Sequence, residues 1–248
     1  MQRKPAVYNL SAVDYGVKMA KKTLHVIMLD GITLYEEAHT LQRGKVSSRV
    51  ADDIPDTLIM LEHPAVITLG HNAKDSDITV KPIVLKMKNI AVHRTERGGK
   101  VTYHGPGQIV GYTIFDLLAL KISVESFITK VEEAMVLACE KMGVEAHHVA
   151  GSPGVYTDRG KVGSIGVRVT RGVTFHGFSL NLDPNLDHYK YIRPCGGSPS
   201  DITSIKAIKG EVLPLKEARK IVVDCFAEVF DMTAQIIKQK SISAVPRL

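Results

Sequence analysis

Between Arg97 and Gln108 the chain reads Arg-Gly-Gly-Lys-Val-Thr-Tyr-His-Gly-Pro-Gly-Gln, a run with four glycines and one proline in which no apolar pattern repeats at helical spacing. Such a stretch cannot sit inside a helix. It predicts a structured loop that delivers backbone amides and a few side chains to one place. The apolar run Ile109–Phe115 follows directly and reads as a strand.

Around this segment the pattern is mostly of strands. Leu24–Leu29, Thr57–Leu61, Val66–Leu69 and Ile90–His93 are short apolar runs, and 144–182 holds further strands broken by glycine turns. Helices are expected over 33–43, with Leu34, Ala38 and Leu41 inward and Thr33 as N-cap, and over 123–142 and 215–230. Residues 44–56 are expected as a surface loop. Cys139 and Cys225 fall on the apolar stripes of the last two helices and read as core thiols. The βαβ alternation of a doubly wound fold is absent. The expected class is α+β (mixed α/β), one catalytic domain over 23–248 behind an N-terminal extension, 1–22.

At 248 residues, 44% hydrophobic and 23% charged, the chain can bury one full core. No apolar run approaches bilayer thickness, so no membrane association is expected. The net charge of +6 favours acidic partners, but the basic residues are dispersed, which argues against nucleic acid. Three cysteines without a C-x-x-C pair point to a reducing compartment, here the cytoplasm. The ten histidines show no H-x-x-x-H spacing, so no metal is expected.

Cys195 differs from the other thiols because it lies between Pro194 and Gly196, off any amphipathic helix. A free thiol is only a few per cent thiolate at neutral pH, so a nucleophilic role requires a nearby cation or base. Lys161, His104 and His176 are the candidates, and sequence spacing does not choose among them. The glycine-rich run matches neither a P-loop nor a dinucleotide fingerprint.

Five pieces in order carry a resemblance: Leu-Glu-His-Pro-Ala-Val-Ile-Thr-Leu-Gly70, the Arg97–Gln108 run, Lys-Val-Gly-Ser-Ile-Gly166, His-Gly-Phe-Ser-Leu-Asn181 and Ile-Arg-Pro-Cys-Gly196. Together they resemble the lipoyl(octanoyl) transferase family, whose fold is the mixed sheet with flanking helices of biotin and lipoate protein ligases. The resemblance implies an octanoyl group taken from acyl carrier protein and placed on a lysine of a lipoyl domain or of the glycine-cleavage H protein. It makes Cys195 the acyl-thioester nucleophile and Lys161 its proton partner, with no cofactor. It makes Arg97, Gly98, Gly99, Lys100, Val101, Thr102, Tyr103, His104, Ser164, Ile165, Gly166, Gly177, Phe178 and Ser179 the acyl-binding walls, Tyr103 and His104 positioning the acyl end. An ATP-dependent lipoate or biotin protein ligase on the same fold is the alternative. The chain departs from the family pattern at Tyr156, usually tryptophan, and at Gly163, commonly alanine.

Overall fold

The Leu24–Leu29 run lies at the centre of strand β1 (Lys22–Ile32) in a computed structural model that describes residues 21–194 and 198–240. Cys195 and nearly all of the expected extension 1–22 lie outside the described residues. Helix α1 follows at Tyr35–Val50, longer than the sequence predicts, and takes up much of the expected loop 44–56. Leu34 stands at its N-cap in place of Thr33, without a side-chain cap. The inward residues are Tyr35, Ala38, Gln42, Val46 and Arg49. Their spacing is helical, but two of the five are polar, so the apolar stripe fades after Leu41 while Leu34 faces solvent.

The chain continues through β2 (Thr57–Glu62), β3 (Val66–Leu69), α2 (Pro82–Met87), β4 (Ala91–Arg94), β5 (Val101–His104), β6 (Gln108–Ile114) and α3 (Leu117–Leu120). Next come α4 (Val124–Lys141), β7 (His147–Val149), β8 (Ser152–Thr157), β9 (Gly160–Thr170) and β10 (Val173–Asn181). The last elements are α5 (Ile205–Lys209), α6 (Leu215–Val229) and β11 (Met232–Lys240). The Arg97–Gln108 run is therefore only partly loop. Its middle is strand β5, which pairs with β3 from Val66↔His104 to Leu69↔Val101.

The main sheet has the order β11-β1-β2-β6-β10-β9-β8-β7. Its pairs β1–β11 and β1–β2 are parallel, and the remainder are antiparallel. One βαβ unit, β1-α1-β2, is thus present within a mixed sheet. A smaller sheet, β4-β3-β5, stands beside it. Helices α4 and α6 cover one face of the main sheet through Met60, Phe127, Met135, Phe178, Val222 and Phe226. Helix α1 covers the other through Ile59, Val110, Tyr112 and Phe175. Cys139 and Cys225 are buried as expected, and burial pushes their thiols up to about 12 and about 11.

The polar face of α1 is held by charge. The Arg49 guanidinium donates to Asp56 at 2.9 Å and to Asp52 at 2.7 Å, and faces Asp116 at 3.6 Å. Asp56 is itself buried and accepts the Asp116 amide, so it joins α1 to the end of β6. Removing one partner of a buried pair leaves an uncompensated charge. Asp56→Ala should lower the urea unfolding free energy by about 3–5 kcal/mol. Asp52→Asn, at an exposed position, should cost under about 1 kcal/mol.

Candidate active site

A cleft with about 460 Å³ of empty space, open solvent at its mouth included, lies on the α1 side of the main sheet. Arg97, Gly99, Thr102 and His104 wall it from the small sheet and the turn before it. Ser164, Ile165, Gly166, His176, Gly177, Phe178 and Ser179 wall it from β9 and β10, while Tyr35 and Tyr112 close the α1 side. The Arg97 side chain fastens the glycine turn to β3: Nη2 donates to the Thr68 carbonyl at 2.6 Å, Nη1 to the Gly98 carbonyl at 2.9 Å. Gly98 donates its amide to the Val167 carbonyl at 3.0 Å, which ties that turn to β9.

Two adjacent strands break their side-chain alternation at this cleft. On β9, Gly163 pairs with Val155 and Lys161 with Tyr156, so Val162 is an extra, unpaired residue, a β-bulge. Val162 is buried in the α4–α6 core, and a Cβ on Gly163 would collide with Met135 of α4, so both face the helices. The bulge reverses the parity below it. Lys161 stands opposite Tyr156 and Ser164 opposite Gly154, two β8 residues on one face, so Lys161 joins Ser164 on the cleft side. On β10 the same end is reached by a left-handed residue, His176 at φ 58°. Its ring stacks on Phe175 and on His39 of α1, and the strand continues unbroken.

Lys161 is buried, about 7 Å along the sheet from Ser164 by strand rise, since their partners Tyr156 and Gly154 are two residues apart on β8. Its ammonium donates to the Pro153 carbonyl at 2.8 Å and lies 5.1 Å from the centre of the Tyr156 ring. Tyr156, the departure from the family tryptophan, thus supplies an aromatic face to a cation. The chain leaving Cys195 returns alongside: Thr203 donates its amide to the Lys161 carbonyl at 2.9 Å, and Asn181 of β10 donates to the Thr203 carbonyl.

The cleft histidines are held neutral. Burial pushes His104 and His176 down to about 3 and His63 down to about 4. His63 must donate from Nδ1 to the Thr33 carbonyl at 2.7 Å, so its Nε2 accepts from the Tyr112 hydroxyl at 2.6 Å. Gln108 uses its amide nitrogen on the Tyr103 carbonyl, Asn181 and Tyr189, which leaves its oxygen to accept from His104 Nδ1 at 2.7 Å. Burial also raises Tyr35 and Tyr112.

Of the walls expected from the sequence, ten line the cleft. Four do not: Gly98 packs on Val167, Lys100 is exposed, and Val101 and Tyr103 turn away into a third core with Ile67 and Tyr189. Strand alternation in β5 separates Thr102 and His104 from Val101 and Tyr103. The Tyr103 hydroxyl meets His188 at 2.9 Å instead. Tyr35 and Tyr112 were not expected in the cleft. Tyr112 shares a face of β6 with Val110 and Ile114, which locates it only once α1 is known to cover that face. His176, a candidate partner of the thiol, stands in the cleft wall.

His39, Glu96 and His176 bring possible metal-ligand atoms within 4.8 Å of one another, a grouping that no sequence spacing reveals. The Arg43 guanidinium lies 3.4 Å from Glu96, and His39 Nε2 lies 3.1 Å from the same oxygen. Burial alone would raise the Glu96 carboxyl, but its own amide and the two histidines hold it below the usual range. The group reads as an ion cluster bracing α1 on the cleft.

A histidine depressed in the folded state takes up its proton first in the unfolded chain. Stability is therefore intact above about 6.5, the ordinary value, and is lost as pH falls toward about 3. His104→Asn should remove one such group. Urea unfolding from pH 7 to 4 should then give a slope shallower than wild type by up to about 1.4 kcal/mol per pH unit.

The model of the lipoyl protein ligase A/B catalytic domain matches residues 35–227. An octanoyltransferase of Alkaliphilus metalliredigens is 41% identical over 209 residues, 84% of this chain and 95% of that protein. One of Koribacter versatilis is 40% identical over 201 residues, 79% and 80%. Among solved structures, lipoate-protein ligase A bound with ATP gives a TM-score of 0.67 at 13% identity, covering 89% of this chain and 90% of that one. The bi-partite lipoate protein ligase of Thermoplasma acidophilum gives 0.66 at 13%, covering 89% and 88%. These structures share the fold, and the sequence relatives carry the activity. The chain belongs to the octanoyltransferase family, built on the lipoyl protein ligase A/B catalytic domain.

Proposed function

We propose that this acyltransferase of lipoate biosynthesis moves its octanoyl group through a thioester on Cys195, with Lys161 as the proton partner. The observation that carries the reading is the setting of Lys161. The Val162 bulge turns it to the cleft side, and the chain returning from Cys195 pairs with it through Thr203. His104 and His176, the other candidates, are held neutral by burial and supply no cation at neutral pH.

The steps balance with these two groups. The Lys161 ammonium stabilises the Cys195 thiolate, which attacks the donor thioester carbonyl. The carbon–sulfur bond to Cys195 forms, that to the carrier breaks, and the departing thiolate takes the proton from Lys161. The amine of an acceptor lysine then attacks the enzyme thioester and gives its proton to Lys161, so that Cys195 departs as a thiolate beside the restored ammonium. No ATP enters, since the donor is already activated. The octanoyl chain is assigned to this cleft, whose histidines are neutral.

The donor in this reading is octanoyl-acyl carrier protein. The acceptors are lipoyl domains of 2-oxoacid dehydrogenases and the glycine-cleavage H protein. Carriers of this kind are acidic, which suits a net charge of +6. A thiol nucleophile works in a reducing compartment such as the cytoplasm, and no described helix is long and apolar enough to cross a membrane. The catalytic unit is one domain over 23–248.

Incubation with octanoyl-acyl carrier protein and no ATP should give protein heavier by one octanoyl group in intact mass spectra. Cys195→Ala should abolish the adduct, and Lys161→Ala should slow its formation by about 100-fold or more. An unlabelled wild type that modifies lipoyl domains only with ATP would assign the chain to the ligase mechanism.

A further inference from the structure

One buried carboxylate is left unused by this mechanism. Glu132 lies on the inward face of α4, among Phe127, Val131, Met135 and Ala138, where an acid needs a reason to be. Its Oε1 accepts the Gly154 amide at 3.0 Å. That amide belongs to the same peptide unit whose carbonyl, on Pro153, accepts the Lys161 ammonium at 2.8 Å. In a trans peptide the N–H and C=O point in opposite directions. One peptide therefore joins a carboxylate on the helix side of the sheet to an ammonium on the cleft side.

The local backbone is built for this contact. Gly154 sits at φ 139°, a conformation that L side chains rarely adopt. A Cβ there would collide with Lys161 Cε and the Gly163 carbonyl, so the lysine stem lies where any other residue would put its side chain. The Gly154 amide is buried and would cost its full desolvation if Glu132 did not accept it.

We infer that Glu132 is a positioning residue for Lys161: by holding the Pro153–Gly154 peptide, it fixes the carbonyl that aims the ammonium. The inference rests on the proposed role of Lys161 and assigns Glu132 no contact with substrate. A hydrogen bond to a charged acceptor contributes more than a neutral one, and its loss should reach the reaction through Lys161 alone.

The test is a double-mutant cycle on the full chain, read as the rate of octanoyl-enzyme formation from octanoyl-acyl carrier protein by intact mass. Glu132→Met, similar in size without an acceptor, should slow the reaction by about tenfold or more in the wild-type background. Glu132→Gln, which keeps a carbonyl oxygen in place, should lose less. In the Lys161→Ala background the Glu132→Met change should alter the remaining rate by less than about twofold, the non-additivity of groups acting through one another. If Glu132→Met does not fold, Glu132→Asp, which withdraws the acceptor by one methylene, takes its place. Equal losses in both backgrounds, or a Glu132→Gln loss as large as that of Glu132→Met, would overturn the inference. A Lys161→Ala rate equal to wild type would instead overturn the proposed role of Lys161.

Discussion

The strict two-residue alternation of a β-strand is the constraint on which this site turns, because the site exists where the alternation is broken. An unbroken β9 would send Lys161 into the α4–α6 core with Gly163 and Ile165. The single extra residue Val162 sends its own side chain inward and turns Lys161 to the cleft. On β10, His176 reaches the same side by a left-handed backbone instead. Lys161 and His176 are thus both presented on the cleft face of the sheet.

The electrostatics follow from where those groups sit. Histidines stacked between sheet and α1 lose hydration and stay neutral, so the Arg97 guanidinium is the charged side chain among the cleft walls. Lys161 is buried too, but a carbonyl and an aromatic face meet its ammonium, with a carboxylate behind the carbonyl. Substrate binding and proton chemistry are kept apart along one strand, about 7 Å from each other. The family relation identifies octanoyl transfer as the activity, and this division of labour suits it.

Much of the fold is legible in the sequence because apolar periodicity carries it. The strands β1 to β4 and β6 and the stripes of α4 and α6 fall where their patterns predict. Helix α1 is misjudged beyond Leu41 because its buried face includes Gln42 and Arg49, whose partners lie elsewhere in the chain. The cleft shows the same division. Thr102, His104, Ser164 and Phe178 follow from motif order, whereas Tyr103 points the other way because that motif is partly a strand. Glu132, Tyr35 and Tyr112 carry no local signal, since only the packing of α4 and α1 on the sheet brings them to their places.

The central claim is a covalent acyl-enzyme on the path of transfer, and its kinetic competence is the most direct measure. Octanoyl-enzyme is isolated free of donor and mixed in a single turnover with a lipoyl domain, without ATP. The account predicts that the octanoyl group passes to the domain's lysine at least as fast as steady-state turnover. An isolated adduct that only hydrolyses, or that transfers more slowly than the enzyme turns over, would contradict it.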